Sequence, residues 1–243
     1  MTHEEREAYL SFLRERREAI LSRVGDACAR SGRRPEDVGI IAVSKTVGVD
    51  EVVLAWQAGY RAFGENRPQE LKRKLEGVAG HPEMAGVRFD MIGNLQVNKI
   101  NQVLGNVALI HSVSSEHLAQ AISKRAFARE LRAPVLLEVN VSGEESKSGF
   151  SPDEVRGVFE SILALPGIDV RGLMTMAPKG DESRARSTFS GLRELRDDLR
   201  DAFGAPLEEL SCGMSDDFQI AIEEGSTLVR LGRTVFNQGY VLK

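Results

Sequence analysis

The sequence predicts a closed (β/α)8 barrel of the TIM type with an extra N-terminal helix. Short apolar stretches rich in β-branched residues alternate with amphipathic helical patterns along the 243 residues. The pattern gives eight strand–helix units with short connections, which form a closed barrel more economically than an open doubly wound sheet. Because no Gly-, Pro- or Ser-rich linker and no internal repeat divides the chain, residues 1–243 are expected to form one domain.

The first elements are an N-terminal helix and a lysine-terminated strand. The helix occupies residues 1–32, ends at Gly32 and is expected to pack on the barrel. Its apolar face is formed by Leu10, Leu13, Ile20, Leu21, Val24 and Cys28. Residues 40–45 form an apolar run that ends in Lys45, and Asp50 is the candidate N-cap of the next helix.

The remaining elements follow from apolar runs bounded by turn and capping residues. Pro68 stands where a first helical turn tolerates proline, Ser115 is a candidate N-cap, and residues 151–154 form a capping box. The other predicted strands cover residues 60–63, 87–92, 107–113, 134–141, 168–176, 207–213 and 227–232. Helices are predicted in the segments between them, including residues 98–104 and 216–224.

Composition excludes several classes of function. Hydrophobic residues make up 42% and charged residues 28%, as in soluble globular proteins, and the net charge of −4 does not favour nucleic acid or an anionic membrane. No apolar run approaches the ~20 residues of a membrane span, and the charged N-terminus does not resemble a secretory signal. Cys28 and Cys212 have no metal-ligand spacing, so neither a disulfide framework nor a metal site is expected. We therefore expect a cytoplasmic protein.

Lys45 is the first candidate functional residue. The carboxyl ends of parallel strands form the functional rim of such barrels, and an amine held there partly desolvated is a nucleophile toward carbonyls. A solvated lysine that merely closes a strand is the alternative interpretation.

The connections after the seventh and eighth strands are candidate phosphate-binding loops. Residues 211–217 and 230–234 place small residues at the start of a helix, where backbone N–H groups and the helix dipole favour an anion. Barrels commonly bind phosphate at these two connections. Ser215 has a second interpretation, as the N-cap of its own helix.

Arg230 is predicted to point into the barrel. Side chains alternate along a strand, so Val229 and Leu231 are expected to pack beneath the outer helices while Arg230 faces the interior. A buried guanidinium needs compensation. The partner is either a buried carboxylate such as Glu138 or an acceptor atom of a ligand.

Together, these stretches resemble the pyridoxal phosphate homeostasis proteins. The resemblance extends from about residue 38 to about residue 240 and rests on eight motifs in order and at matching separations. The motifs are Val43–Thr46, Phe63–Asn66, Ile92–Lys99, Ile110–Val113, Ser146–Gly149, Gly172–Met174, Leu210–Ser215 and Val229–Gly232.

The resemblance implies the fold of the alanine racemase N-terminal domain, with pyridoxal 5′-phosphate (PLP) held as a Schiff base on Lys45. It places Arg230 at the pyridine nitrogen, and Ser215 with the region of Gly232 at the phosphate. The implied cofactor-binding residues are Lys45, Asn66, Met214, Ser215, Arg230, Gly232 and Arg233. The chain departs from the family pattern at Asp90, usually histidine, at Ser114, usually acidic, and at Arg233, usually threonine.

The residues favour a PLP carrier over an efficient enzyme. An arginine at the pyridine nitrogen is a poor proton donor, so the ring stays neutral and is a weak electron sink. Racemisation needs acid–base groups on both faces of the substrate carbon. Beyond Lys45, the best internal candidate is His111, and a histidine on a barrel strand is more often structural. No catalytic residue is therefore assigned.

Three functions are compatible with the sequence. The first is a PLP carrier for vitamin B6 and amino-acid homeostasis, with apo PLP-dependent enzymes as candidate recipients. The second is a PLP-dependent amino-acid racemase, and the third is a Schiff-base aldolase that uses Lys45 without a cofactor. Because the chain ends at Lys243 without a second domain, a monomer is expected.

Overall fold

The computed structural model describes residues 1–242 as an eight-stranded barrel surrounded by helices. The strands are β1 (Gly39–Val43), β2 (Ala62–Glu65), β3 (Arg88–Met91), β4 (Leu109–Val113), β5 (Ala133–Glu138), β6 (Ile168–Met174), β7 (Glu209–Ser211) and β8 (Leu228–Leu231). All neighbouring strands pair in parallel, and β8 pairs with β1 to close the barrel. The predicted (β/α)8 barrel is confirmed.

Helices follow the strands around the outside. Within residues 1–242 they are α1 (His3–Ser31), α2 (Val49–Gln57), α3 (Pro68–Val78), α4 (Ile100–Val103), α5 (Glu116–Phe127), α6 (Pro152–Leu163), α7 (Glu182–Phe203), α8 (Phe218–Glu223) and α9 (Arg233–Phe236). Short 3-10 turns occur at Pro35–Asp37, Pro82–Met84 and Val97–Lys99.

The N-terminal helix α1 forms as its sequence predicts. Thr2 and Glu5 form a capping box at its start, and Gly32 ends it in the left-handed conformation, with φ 67°. The helix contacts α2, α8 and α9, so it covers the side of the barrel where the chain closes. One expected contact residue is wrong, because Leu21 is 39% exposed.

Some boundaries differ from the prediction because of specific hydrogen bonds. Asp50 is not the N-cap of α2; Gly48 is, and the Glu51 carboxylate accepts the Gly48 N–H at 2.8 Å. The second strand starts at Ala62 rather than at Tyr60, whose N–H donates to a carbonyl of α2. The helix predicted over residues 98–104 is a 3-10 turn followed by one turn of α4.

The barrel interior has an apolar layer and a polar layer above it. Five side chains of the apolar layer are Ile41, Leu109, Leu136, Met174 and Leu228. Toward the carboxyl ends of the strands, the next inward positions carry buried polar side chains, namely Asp90, His111, Glu138, Ser211 and Arg230. This second layer forms a polar floor beneath the mouth of the barrel.

Candidate functional site

The carboxyl ends of the strands enclose a cleft of about 670 Å³. All seven residues implied by the family resemblance line it: Lys45, Asn66, Met214, Ser215, Arg230, Gly232 and Arg233. A further wall, next to the loop after β7, is the connection between β6 and α7, with Met176 and residues 178–182. No sequence motif identified that wall, because a loop folded over a rim has no periodic pattern.

Lys45 lies just beyond β1, in a turn that reaches into the cleft. The strand ends at Val43, and the Val47 N–H donates to the Ser44 carbonyl at 3.2 Å, which closes a tight turn around Lys45 and Thr46. The side chain is exposed, so the expected partial desolvation of the amine is not found. The amine is accessible from solvent and from the cleft.

Ser215 joins the two loops that were predicted to bind phosphate. Its Oγ accepts the backbone N–H of Thr234 at 3.1 Å. This bond connects the loop after β7 to the start of α9. The alternative role as N-cap of α8 is wrong, because α8 begins at Phe218 with Asp217 before it. Asp217 instead accepts the Met214 N–H at 2.6 Å and so shapes the loop. Since the Ser215 oxygen is already an acceptor, its hydroxyl proton is available to a ligand oxygen.

The helix dipoles on this side of the cleft are weaker than the sequence indicates. Helices α8 and α9 have only six and four residues, so few peptide dipoles align behind the loops. An anion here would depend mainly on the Ser215 hydroxyl and on nearby donors. Thr234, which belongs to the predicted loop 230–234 but was not singled out, is buried beside Ser215 and directly follows Arg233, where the family usually has threonine.

Arg233 lines the cleft from its rim, where its side chain is exposed. Its guanidinium pairs with Asp216 at 2.5 Å and lies over the ring of Tyr240, 5.3 Å from the centroid. The Tyr240 hydroxyl in turn donates to the Ser215 carbonyl at 2.7 Å. Tyr240, near the C-terminus, therefore holds the loop that carries Ser215 from its outer side.

Arg230 faces the barrel interior, as strand alternation predicts, and it lines the cleft. Its guanidinium donates to the Ser211 carbonyl at 2.7 Å, the Ser211 hydroxyl at 2.6 Å and the Thr175 carbonyl at 3.1 Å. No ion pair with Glu138 forms within residues 1–242, so backbone carbonyls are the partners. Burial lowers the pKa of Arg230, while Asp217 and Glu138 oppose this shift; an arginine titrates so far above neutral pH that the group stays charged.

A chain of buried hydrogen bonds continues from Arg230 across the barrel. His111 Nδ1 lies 2.8 Å from Ser211 Oγ, and His111 Nε2 lies 3.2 Å from Asp90 Oδ2, which also accepts from Arg88. Because Arg230 donates to Ser211, we assign the Ser211 proton to His111 Nδ1, which leaves Nε2–H to donate to Asp90.

The pKa shifts in this chain follow from burial and these bonds. Burial lowers the pKa of His111 despite the Asp90 carboxylate, so the ring is neutral at pH 7. Burial alone would raise the pKa of Asp90, but hydrogen bonds from His111 and Arg88 hold it below its ordinary value. His111 is fully hydrogen-bonded and does not line the cleft, which agrees with a structural role. Asp90, a departure from the family pattern, is its partner.

Glu138 is a buried carboxyl group near Arg230. One of its oxygens, Oε2, has no hydrogen-bond partner among residues 1–242. Burial raises the pKa of Glu138, although the positive charge of Arg230 acts against the shift. The polar floor beneath the cleft therefore combines a charged guanidinium with a carboxyl group that is driven toward its neutral form.

Neither a metal-binding cluster nor a membrane-spanning helix is found in the part of the chain that the structure describes. Among these residues, no group of three or more His, Cys, Asp or Glu side chains is placed to hold a metal ion. Across residues 1–242, no helix combines the length and apolarity that crossing a bilayer requires.

Comparisons with known proteins agree with this geometry. Residues 19–238 match the family "Alanine racemase, N-terminal domain". The pyridoxal phosphate homeostasis protein of Aquifex aeolicus (strain VF5) is 40% identical over 225 residues, which cover 92% of this chain and 97% of that protein.

Two solved structures are similar over nearly the whole chain. An unknown protein from Bifidobacterium adolescentis aligns with a TM-score of 0.89 and 40% identity, covering 94% of this chain and 96% of its own. PipY of Synechococcus elongatus, solved with PLP bound, aligns with a TM-score of 0.82 and 30% identity, covering 93% and 100%. The chain therefore belongs to the alanine racemase N-terminal domain family, and within it to the pyridoxal phosphate homeostasis proteins.

Proposed function

We propose that this protein binds PLP in the cleft, holds it as a Schiff base on Lys45 and serves intracellular PLP and amino-acid homeostasis. The observation that carries the proposal is the convergence of all seven implied residues on one cleft. They come from β1, β2, β7, β8 and the loops after them, and a relative with this fold, PipY, has been solved with PLP bound.

The donor set fits the chemistry of PLP. The accessible Lys45 amine can condense with the PLP aldehyde, forming a C=N bond and releasing one water. The Ser215 hydroxyl, with Gly232 and Arg233 beside it, offers donors and positive charge to the phosphate. The Arg230 guanidinium can donate a hydrogen bond to the pyridine nitrogen but does not give up its proton. Asn66 and Met214 line the remaining wall.

Retention rather than turnover is supported by the surroundings of these residues. When bound, PLP supplies an electron sink whose strength depends on protonation of the ring nitrogen, and Arg230 keeps that nitrogen neutral. His111 is occupied by Ser211 and Asp90. The described tyrosines do not line the cleft: Tyr9 and Tyr240 donate to the carbonyls of Phe236 and Ser215.

A carrier must also release its cargo. We propose that the protein acts as a cytoplasmic monomer and that apo PLP-dependent enzymes receive PLP from it. The exposed Lys45 side chain supports transfer, because an incoming amine can approach it without the fold opening. Gel filtration with light scattering tests the monomer, and reactivation of an apoenzyme by the loaded protein tests the transfer.

Visible absorption spectroscopy tests the proposed binding. The purified protein mixed with PLP should show the yellow band of a protein Schiff base. Lys45→Ala should lack the band, and Lys99→Ala, in a family motif but outside the cleft, should keep it. Amino-acid racemisation with protein and substrate at comparable concentrations should not exceed that of free PLP. An unchanged band in folded Lys45→Ala would contradict the assignment, and fast racemisation would favour a racemase.

A further inference from the structure

A fully buried ion pair lies directly behind the turn that carries Lys45. Lys74 of α3 and Glu65 at the end of β2 both have side chains with 0% exposure, and Lys74 Nζ lies 3.1 Å from Glu65 Oε1. Lys45 lines the cleft, whereas the buried Ser44 contacts Glu65 and Lys74 of α3. The ion pair therefore occupies the layer between the strands and α3.

Both charged groups hold Ser44. Lys74 Nζ donates to the Ser44 carbonyl at 2.9 Å, and the Ser44 hydroxyl donates to Glu65 Oε1 at 2.6 Å. The Ser44 N–H donates to the Gly64 carbonyl at 3.0 Å. Every polar group of Ser44, the residue before Lys45, is thus fixed.

The Ser44 carbonyl connects the ion pair to the turn. One of its lone pairs accepts the Val47 N–H that closes the turn around Lys45, and the other accepts Lys74 Nζ. A single oxygen therefore joins the buried ammonium to the backbone of Lys45. Any shift of Lys74 moves the base of the turn.

Stability does not account for this arrangement. Burying two charges costs desolvation free energy, and apolar residues of similar volume often stabilise a fold equally well. The second carboxylate oxygen of Glu65 has no hydrogen-bond partner among the described residues, which adds to the cost. Lys74 and Glu65 also do not line the cleft, so they do not touch a ligand there.

We propose that Lys74, together with Glu65, is a positioning residue that fixes the turn so that the Lys45 amine meets the PLP aldehyde. The inference rests on the proposed function, because it presumes that Lys45 forms the Schiff base. Lys74 acts through the Ser44 carbonyl. Its loss should slow the condensation without weakening the contacts to phosphate and ring, which come from β7, β8 and their loops.

The test removes both charges together and keeps side-chain shape. In Lys74→Met/Glu65→Gln, no uncompensated charge stays buried, and the amide oxygen introduced by Glu65→Gln can still accept from Ser44. Misplacement of a reacting group by about an ångström can cost up to 100-fold in rate, so we expect condensation with PLP roughly 10- to 100-fold slower. Lys72→Met, on the same helix but exposed, should react like the wild type.

A double-mutant cycle separates positioning from general damage. PLP affinity is measured with and without the two substitutions, in the wild type and in Lys45→Ala. Because the Schiff base itself also needs an aligned Lys45, positioning through Lys45 predicts a loss of affinity in the wild-type background and no change in Lys45→Ala. Equal losses in both backgrounds, or an unchanged condensation rate in the double variant, would overturn the inference.

The two proposals fail in different ways. A wild-type protein without a Schiff base on Lys45 would overturn both, whereas normal condensation in both proteins would overturn only the role of Lys74. If the double variant does not fold, Lys74→Met/Glu65→Leu/Ser44→Ala replaces the polar cluster by apolar side chains, which a fold often tolerates, and it also removes the donor to the Ser44 carbonyl. It should also slow condensation, and a wild-type rate in that variant would contradict the inference.

Discussion

At the residue scale, the single hydroxyl group of Ser215 has two roles, one in the fold and one in binding a ligand. Its oxygen accepts the Thr234 N–H, which links two loops, and its proton is free for a ligand. A substitution at this position therefore changes both the stability of the fold and the affinity for PLP. A matched serine elsewhere in the chain distinguishes the two effects.

We expect Ser215→Ala to lower the affinity for PLP roughly ten- to hundredfold, the equivalent of a hydrogen bond of about 1.5–3 kcal/mol to a charged group. It should also lose about 1–3 kcal/mol of stability, because the Thr234 N–H is left without an acceptor. The control is Ser123→Ala, whose buried hydroxyl accepts the Gly167 N–H at 3.0 Å outside the cleft. It should lose similar stability and keep its affinity. Equal affinities of Ser215→Ala and the wild type would remove Ser215 from the phosphate site.

Arg230 determines, in our account, why PLP is retained rather than used. Arg230→Glu would place a carboxylate beside the pyridine nitrogen, which could then be protonated and become a stronger electron sink. Because Glu138 is nearby, the change is best made with Glu138→Gln, which avoids two adjacent buried carboxyl groups. The variant should be less stable, since the Ser211 and Thr175 carbonyls lose their donor.

Deuterium exchange at the α-carbon of alanine is the measurement for this prediction. The PLP-loaded Arg230→Glu/Glu138→Gln protein should exchange faster than the loaded wild type, with Glu138→Gln alone as the control. Equal exchange in folded, loaded proteins would mean that Arg230 is not at the ring nitrogen or that acid–base groups alone limit the reaction.

At the element scale, the segments that follow the neighbouring strands β2 and β3 pack closely against each other. A Cβ on Gly93, in the loop after β3, would lie 2.4 Å from the Asn66 carbonyl oxygen and 2.7 Å from its Cα. Both contacts are to backbone and are too short to be relieved by a rotamer change. Gly93 therefore sets how closely the loop after β3 approaches Asn66 at the edge of the cleft.

Gly93→Ala should destabilise the protein by about 1–3 kcal/mol and lower PLP affinity by displacing Asn66. Gly157→Ala is the control, because Gly157 lies inside α6 with no atom within 4 Å of the added Cβ. It should gain up to about 1 kcal/mol from helix propensity and bind PLP normally. Urea denaturation and PLP titration measure both quantities. Wild-type stability of Gly93→Ala would show that the loop can move away.

The element order was predictable from sequence because alternating apolar periodicity encodes strands and helices directly. The strand ends also indicated that Lys45, Arg230 and the loops after β7 and β8 meet at the cleft, since all strands of the barrel end on one rim, whereas Asn66 was implied by the family resemblance alone. Long-range hydrogen bonds were not predictable: Ser44 and Lys74 are 30 positions apart, and no local pattern joins them. For the same reason, the sequence left open whether Arg230 pairs with a carboxylate such as Glu138 or with a ligand atom, whereas the structure gives it the Ser211 and Thr175 carbonyls.

At the scale of the whole molecule, a polar layer crosses the barrel below the cleft. The folded-state pKa of Asp90 lies below the ordinary value of 3.8. Its contribution to stability is therefore complete at pH values above that value and is lost as the pH falls through the folded pKa. Low pH should therefore lower the free energy of unfolding through the polar layer that supports Arg230.

Asp90→Asn should cost about 1.5–3 kcal/mol at neutral pH, the range for hydrogen bonds to a charged group. The difference from the wild type should be constant from about pH 7 to about pH 5 and should shrink below the ordinary pKa of 3.8, because the carboxylate of the unfolded chain takes up its proton before that of the folded protein. Urea denaturation of both proteins across this range measures the change. A difference that stays constant with pH would mean that the carboxylate charge does not stabilise the layer.

The central claim is that Lys45 carries PLP, and one measurement tests it most directly. The protein is incubated with PLP, the Schiff base is reduced with borohydride, and the peptides are mapped by mass spectrometry. Lys179, in the connection between β6 and α7, also lines the cleft, so the cleft contains a second lysine that could compete for PLP. We predict one stable pyridoxyl group on the peptide that contains Lys45. A label on Lys179, Lys99 or Lys147 in place of Lys45 would contradict the account.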